Sequence, residues 1–299
     1  MPGIQDLTVE RYNHVTQFLD KVKPYLEQRE IENTFVIHMA QQHANKTEDR
    51  YYCGAVWKNQ KELLFAIFAE SDGFLYASCL FDDTRPEAIV FLFNDVLSCT
   101  TLDDIQGLHA YQPVLTTLGR LCQKQLGVEL QKKNPVWSHR LEQVHWTPRA
   151  RSIADQPGTV LRIATEEDID LLRPWTIAFV KDVFGDTYVI SSSIEGICRD
   201  MIESNSVYLL CLSDGRAVSM ARKVRPLRYG CSLAYVYTPE EHRHKGYGEA
   251  CVSMVSDLLL KEFQYVTLFV DIERDPHDNL YTRIGYEHYG EGGRLVLLK

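Results

Sequence analysis

The residues from Arg243 to Gly248 have the types and the spacing needed to hold a phosphate group. Their pattern is R-x-x-G-x-G, with glycines at Gly246 and Gly248. A glycine has no Cβ, so the backbone can approach a ligand closely at both positions. Arg243, His244 and Lys245 add positive charge to this run, in a chain whose formal net charge is -9. The pattern predicts a loop that binds an anion.

The segments on either side of this run predict the elements that position it. Residues 232–237 form a strand-like apolar run that ends at Thr238 and Pro239. Apolar residues recur at helical spacing downstream, at Ala250, Cys251, Met254, Val255, Leu258 and Leu259. A strand, a glycine loop and a helix in this order bring free backbone N–H groups and the positive end of the helix to one place, which suits a phosphate.

Two common phosphate-binding motifs do not fit this run. The dinucleotide fingerprint requires a third glycine where Cys251 stands, and the P-loop requires Gly-Lys-Ser/Thr, which is absent. The run resembles instead the acetyl-CoA signature of the GNAT superfamily of N-acetyltransferases, Q/R-x-x-G-x-G/A, over the whole stretch 236–248. This resemblance implies that acetyl-CoA is the co-substrate and that the reaction needs no metal.

Composition and charge limit the class of protein. The chain has 299 residues, 45% hydrophobic and 24% charged, which suggests about two ordinary globular domains. Neither a bilayer-spanning apolar segment nor a signal peptide is predicted, and the cysteines form no CxxC motif. The net negative charge disfavours nucleic acid as a partner, because such binding depends on neutralising phosphates with Lys and Arg. We expect a cytoplasmic protein with buried free thiols and no membrane partner.

The polar segment 147–158, with two prolines and a glycine, is the predicted linker between the domains. After it, short apolar strands alternate with amphipathic helices in the order β-α-α-β-β-β-α-β-α-β, which predicts a mixed sheet with helices on both faces. This order resembles that of the GNAT fold. The predicted fold class is therefore α/β (α+β, mixed sheet), with an acetyl-CoA-binding GNAT domain at 159–299.

Residues 1–146 show a weaker version of the same order. Helices are predicted at 7–28 and 31–44, strands at 51–57, 63–69 and 73–80, and a helix near 86–97. The acidic pair Asp82 and Asp83 stands where the glycine loop would be required, and its charge would repel a pyrophosphate. We interpret this half as a degenerate GNAT-like domain in a tandem arrangement; the alternative is an unrelated α/β domain.

The GNAT resemblance implies roles for the residues around the loop. Backbone groups of Val236, Tyr237 and Thr238 would align the pantetheine arm and polarise the thioester carbonyl. Backbone amides of the loop would hold the pyrophosphate. The predicted cofactor-binding residues of the loop are Arg243, His244, Lys245, Gly246, Tyr247, Gly248 and Glu249.

The segment 279–286 resembles the family's N-x-x-Y-x-x-x-G-F/Y motif and implies that Tyr281 is the general acid. A phenol has an unperturbed pKa of ~10, near that of a thiol, so proton transfer to a departing thiolate is not steeply uphill. A tyrosine that merely packs on the sheet is the structural alternative. Arg274 stands where the family has its asparagine, so the predicted contact of Asn279 with the cofactor departs from the family pattern.

The sequence does not fix the general base. Asp271, Glu273 and Glu287 lie near the predicted strand ends, and the histidine spacings fit no metal site. The basic residues within 222–228 are either a solvated hairpin end or a contact for the 3′-phosphate of CoA or an acidic substrate.

The predicted function is acetyl transfer from acetyl-CoA to a primary amine of a small molecule or peptide by direct attack. Two alternatives stay open at this point. One is a non-catalytic acyl-CoA-binding or interaction protein; the other is an acyltransferase for longer acyl groups or hydroxyl acceptors.

Overall fold

The computed structural model describes residues 6–44, 51–70, 73–83, 85–101, 104–185, 193–271, 275 and 277–298. Two residues considered above, Glu273 and Arg274, lie outside this part of the chain. Within it, no helix is long and apolar enough to cross a membrane. All eight cysteines are free thiols, and every one except Cys99 is buried.

The chain divides into two compact units. Unit 1 comprises Met1–Val136 and Gly290–Lys299, and unit 2 comprises Trp137–Tyr289. The C-terminal residues therefore group with the N-terminal half, whereas the sequence placed the whole of 159–299 in one domain.

Unit 1 begins with a strand and two helices and continues with antiparallel strands. Its elements are β1 (Leu7–Arg11), α1 (Val15–Leu26), α2 (Thr34–His43), β2 (Tyr52–Lys58), β3 (Glu62–Ala69), β4 (Phe74–Ala77), α3 (Pro86–Cys99), β5 (Gly107–Tyr111), α4 (Val114–Leu126) and the start of β6 (Glu129–Leu141). The final strand, β12 (Glu287–Leu298), ends in this unit.

The sheet of unit 1 has the strand order β1-β2-β3-β4-β5-β12. Its β4 and β5 are parallel, and β12 pairs with β5 in antiparallel orientation from Gly292↔Tyr111 to Val296↔Gly107. The nearly continuous apolar runs of β2 and β3 are buried, as expected for strands with helices on both faces. Phe18, Phe68 and Phe93 are fully buried and join helices to the sheet.

Unit 2 repeats this order of elements. After α5 (Pro148–Ala154) come β7 (Val160–Ile163), α6 (Ile169–Phe184), α7 (Ile194–Glu203), β8 (Val207–Cys211), β9 (Ala217–Val224), β10 (Gly230–Tyr237), α8 (Tyr247–Leu259), β11 (Tyr265–Asp271), α9 (Leu280–Arg283) and β12. The order predicted from sequence for 159–299 is confirmed, as is the mixed α/β fold class.

The sheet of unit 2 has the order β6-β11-β10-β9-β8-β7. Helix α8 lies on one face, where its buried residues from Ala250 to Leu259 join β8, β9, β10 and β11 in one core cluster. Helices α6 and α7 cover a second cluster around Leu172, Met201 and Met220. The predicted apolar face of α8 therefore anchors the glycine loop that precedes it.

Two segments differ from the sequence predictions. Residues Leu7–Arg11 form strand β1, paired with β2, instead of the first turns of a helix, because Thr8 and Val9 favour extended backbone and β2 supplies a pairing edge. The predicted linker 147–158 contains α5: Thr147 caps it by accepting from the N–H of Ala150, Pro148 occupies its first turn, and Ala150 and Ile153 are buried.

Candidate functional site

Strand β10 separates from β11 just before the glycine loop. The parallel ladder runs from Gly230↔Tyr265 to Leu233↔Leu268 and stops there, although β10 continues to Tyr237 and β11 to Asp271. On its other side β10 has a bulge between Ala234 and Tyr237. A bulge bends a strand and redirects its backbone. The last residues of β10 thus leave the ladder on the β11 side, which is the splay that the family resemblance implies.

The bulge is held by aromatic contacts. Tyr235 has a φ of 49°, which is strained for a side chain of this size. Its ring lies 4.7 Å from that of Phe179 on α6, between ring centroids, and the Arg222 guanidinium lies 5.6 Å from its centroid. Contacts from α6 and β9 thus hold the end of β10 in an unusual backbone conformation. Strained backbone conformations of this kind are common in binding sites.

The predicted backbone-binding residues lie at this point. Val236 falls within the bulge, between the ladder pairs of β9 and β10. The carbonyl oxygen of Tyr237 accepts from Ser219 Oγ at 3.1 Å, and that of Thr238 accepts from Arg243 Nε at 3.0 Å. Two of the three carbonyls therefore have partners within the protein.

The loop itself presents backbone donors. His244 and Gly246 have left-handed φ values of 62° and 89°, and α8 begins at Tyr247. The N–H of Ala250 donates to the carbonyl of Gly246 at 2.9 Å. In the described part of the chain, the N–H groups of residues 244–249 donate to no protein acceptor. Such a set of donors at the positive end of a 13-residue helix favours a phosphate.

The charged side chains of the loop have structural partners. Arg243 forms an ion pair with Asp182 on α6 at 2.6 Å, in addition to its bond to Thr238. Lys245 Nζ donates to the carbonyl of Glu241 at 2.9 Å. The Tyr247 ring lies edge-on to His242, with centroids 6.1 Å apart. Arg243 thus ties the loop to α6, and its predicted contact with the cofactor stays a prediction.

Gly248 is closely packed at the start of α8. An added Cβ would lie 3.0 Å from Thr238 Oγ1, and Leu280 of α9 is the next neighbour at 4.0 Å. Thr238 Oγ1 is itself fixed by a 2.9 Å hydrogen bond with the buried Ser219 hydroxyl. The absence of a side chain here lets α8 approach the end of β10 and keeps its first amides accessible.

Glu249 has a role that the sequence did not indicate. It is 8% exposed, its Oε1 accepts from the Thr147 hydroxyl, and its Oε2 lies 3.9 Å from Arg283 Nε. The carboxylate thus joins α5, α8 and α9. It stabilises the first turn of α8, where a negative charge is favourable; the predicted contact of its backbone N–H with the cofactor stays a prediction.

Tyr281 lies on α9 beside this site. Its ring packs on the same core cluster as Val236, Tyr247 and Leu280, and lies 6.1 Å from the ring of Tyr286. Tyr281 and Tyr286 have different environments, because Tyr286 is buried with its hydroxyl 2.9 Å from Ser256 Oγ, and burial raises its pKa strongly. Tyr281 is half-buried, the better environment for a group that must reach a substrate.

Asn279 holds α9 in place. Its Oδ1 accepts from the N–H groups of Tyr281 and Thr282 at 2.9 and 3.2 Å, and its Nδ2 donates to the carbonyl of Asp275 at 2.9 Å. Both ends of the amide are engaged, so Asn279 fixes the first turn of α9, which carries Tyr281; its predicted contact with the cofactor stays a prediction.

The candidate bases are exposed, and nothing selects one of them. Asp271 ends β11 and Glu287 begins β12, both at the surface. In the described residues, no group of three or more His, Cys, Asp or Glu side chains is arranged to hold a metal ion.

Part of the chain matches a family model, and the whole chain resembles solved structures in fold. Residues 210–295 match the family model described as FR47-like protein. A Drosophila protein of known structure is 12% identical, with a TM-score of 0.62 over 97% of this chain and 98% of the other. A GCN5-related N-acetyltransferase from Sphaerobacter thermophilus is 13% identical, with a TM-score of 0.57 over 97% and 95%.

A tandem GNAT protein from the clavulanic acid biosynthesis pathway is 10% identical, with a TM-score of 0.55 over 97% of this chain and 98% of the other. No curated protein matches the chain. Both units are covered in these alignments, which is the tandem arrangement expected from the sequence. The chain therefore shares the fold of these proteins, and residues 210–295 match the FR47-like family model by sequence.

Proposed function

We propose that unit 2 is an acetyl-CoA-dependent N-acetyltransferase that moves an acetyl group to a primary amine of a small molecule or peptide by direct attack. The observation that carries this proposal is the set of N–H groups at 244–249, which have no protein acceptor among the described residues, beside the part of β10 that leaves the ladder with β11. This arrangement suits a ligand with a pyrophosphate at one end and an extended arm at the other. The FR47-like match and the GNAT fold support the same substrate class.

The residues of the site divide the reaction between them. The loop amides hold the pyrophosphate, and Val236 at the bulge aligns the arm that carries the thioester. The neutral amine attacks the thioester carbonyl, so a C–N bond forms and the C–S bond breaks. The amine loses its proton to solvent, and the Tyr281 hydroxyl donates a proton to the departing thiolate. Donors fixed in place before the reaction stabilise the developing charge without reorganisation.

The contacts of α9 fix the position of Tyr281 and suit it to this role. The capping bonds of Asn279 fix the first turn of α9, and Leu280 places that turn against the start of α8. The hydroxyl therefore belongs to a short rigid segment that packs on the loop and on the core of unit 2. Precise positioning of this kind is what an acid needs in order to act in the transition state.

An acceptor panel tests the proposal. The protein is incubated with acetyl-CoA and with primary amines, amino-terminal peptides and matched alcohols, and thiol release and product mass are recorded. We expect thiol release only with an amine, together with an acetylated amine product. Binding of acetyl-CoA without thiol release across the panel would support the non-catalytic alternative, and an acetylated alcohol as the main product would contradict the amine assignment.

A further inference from the structure

A second arginine lies on the glycine loop, and it comes from outside the signature. Arg149 is the second residue of α5, and one of its terminal nitrogens donates to the carbonyl of His244. Its side chain runs across Gly246: a Cβ added there would lie 2.6 Å from Arg149 Nε and 2.9 Å from its Cδ. Gly246 is favoured by its left-handed φ of 89°, and Arg149 fills the space beside it.

The position of α5 is fixed independently of this arginine. The Thr147 hydroxyl accepts from the N–H of Ala150 and donates to the buried carboxylate of Glu249. Ala150 and Ile153 are buried in the same core cluster as the residues of α8. Because these contacts hold α5 against α8, the backbone of Arg149 has a fixed position beside the loop.

The charge of Arg149 is available at this place. The arginine of the signature, Arg243, is paired with the carboxylate of Asp182. The recorded partner of Arg149 is a neutral carbonyl, and among the described residues it has no carboxylate partner. A guanidinium has five N–H donors, so bonding to one carbonyl leaves others for an anion. Arg149 also fixes the His244 carbonyl at a left-handed residue, which sets the direction of the amides that follow.

We propose that Arg149 is a positioning residue of the phosphate-binding loop and supplies the local positive charge that Arg243, paired with Asp182, does not. This inference rests on the proposed binding of acetyl-CoA in unit 2. It predicts that α5, within the predicted linker, is part of the ligand site. Because Arg149 contacts the loop, we expect it to act at the pyrophosphate and not at the 3′-phosphate.

Titration calorimetry with acetyl-CoA and with 3′-dephospho-CoA tests the inference. Arg149→Ala should weaken both ligands by about tenfold, by a similar factor for each, since charged hydrogen bonds contribute on this scale. Arg149→Lys should recover part of the loss, because it keeps the charge but not the fork. Arg151→Ala is the matched control: Arg151 lies on the same helix, with its guanidinium 3.9 Å from the Trp146 ring centroid.

The outcomes separate the inference from the proposed function. If Arg149→Ala binds both ligands within twofold of the wild-type affinity, the role of Arg149 is overturned and the proposed function is not affected. A loss confined to acetyl-CoA, with 3′-dephospho-CoA unaffected, would assign Arg149 to the 3′-phosphate and also overturn it. Absence of binding by the wild type would contradict the function itself. The melting temperature of each ligand-free variant shows whether it is folded; if Arg149→Ala is not, Arg149→Lys must still bind both ligands more weakly than the wild type.

Discussion

The two units have the same order of elements, but the segments that follow their central strands differ in what their backbone groups contact. In unit 2, β10 leads into a loop whose N–H groups at 244–249 donate to no protein acceptor in the described chain. In unit 1, β4 leads into Cys79, whose N–H donates to Asn33 Oδ1 at 2.8 Å and whose carbonyl accepts from Asn33 Nδ2 at 3.1 Å. A buried side chain thus engages the backbone of unit 1 just after β4.

The first turns of α3 in unit 1 and α8 in unit 2 also differ in how many backbone N–H groups have a protein acceptor. Helix α3 of unit 1 begins with Pro86, which has no N–H, and the N–H groups of Ala88 and Ile89 both donate to the carbonyl of Arg85. Asp82 and Asp83 lie just before it, and each is paired with an arginine: Asp82 with Arg29 at 2.9 Å and Asp83 with Arg85 at 3.1 Å. Among the described residues, the start of α3 therefore has fewer backbone N–H groups without a protein acceptor than the start of α8, although the order of elements is the same.

The largest effect that we expect is on the chemical step. Tyr281→Phe removes the hydroxyl that protonates the thiolate and keeps the ring that packs on the core, so kcat should fall by ~10²–10⁴-fold. The affinity for acetyl-CoA should change little, because the hydroxyl acts in the transition state. Initial rates at saturating acetyl-CoA give the answer.

Tyr286→Phe is the control for that experiment, since it removes a buried hydroxyl bonded to Ser256 next to the same ring. It should lower stability and leave the chemical step nearly unchanged. Turnover of Tyr281→Phe within a few-fold of the wild type would show that the tyrosine has only the packing role.

The next effect concerns binding and the difference between the two loops. Gly248→Val places a branched side chain against Thr238 and over the first amides of α8. Wild type should bind one acetyl-CoA per chain and gain roughly 2.7 kcal/mol of stability at ~100 Kd of ligand, whereas the variant should lose this gain. Asp83→Ala, in the corresponding segment of unit 1, should bind as wild type does. Two sites per chain, or a Gly248→Val variant that is stabilised equally, would contradict the comparison.

A smaller effect is expected from removing the side chain that occupies the backbone of unit 1. Asn33 is fully buried and bonds to Cys79 through both ends of its amide, so Asn33→Ala leaves buried polar groups without partners. The free energy of unfolding in urea should fall by about 2 kcal/mol. Asn33→Asp, which keeps the acceptor, serves as the partial control. A change below about 0.5 kcal/mol would mean that the bonds to Cys79 do not hold unit 1 together.

The smallest effect concerns acid stability, where the two units are alike. Arg162 in unit 2 holds the pKa of Asp168 below its usual value, and Arg11 in unit 1 does the same for Asp95. A lowered folded-state pKa gives stability that is fully present above about pH 4 and is lost as the pH falls through the folded pKa. Asp168→Asn should therefore cost about 1 kcal/mol at pH 7 and reduce the acid dependence of unfolding, with Asp95→Asn behaving similarly. If the pH dependence of unfolding is unchanged in both variants, these ion pairs do not contribute to acid stability.

The glycine loop and the elements around it could be predicted from the sequence because their signals are local. Gly246 and Gly248 lie within one short run, and the apolar face of α8 repeats over adjacent turns. Strand β1 was harder to predict from the sequence. Leu7–Arg11 is short, and it becomes a strand because it pairs with β2, which lies far along the chain.

The partners of the loop could not be found in this way, since they depend on long-range packing. Arg149 contacts His244 across 95 positions, and Thr147 contacts Glu249 across 102. The one local sign was the sequence Thr147-Pro148, a helix start in a segment that its prolines and glycine made look like a linker. Arg243 shows the converse: its place in the signature is local, but its partner Asp182 is supplied by another helix.

Hydrogen exchange with and without acetyl-CoA tests most directly whether the free amides of unit 2 are the binding site and the occupied segment of unit 1 is not. Exchange is followed in peptides covering 236–250 and 78–90 of the same protein in the same sample, so each unit is the control for the other. We expect strong protection of 236–250 on addition of acetyl-CoA and no change in 78–90. Protection of 78–90, or unchanged exchange of 236–250 at a ligand concentration that saturates binding, would contradict it.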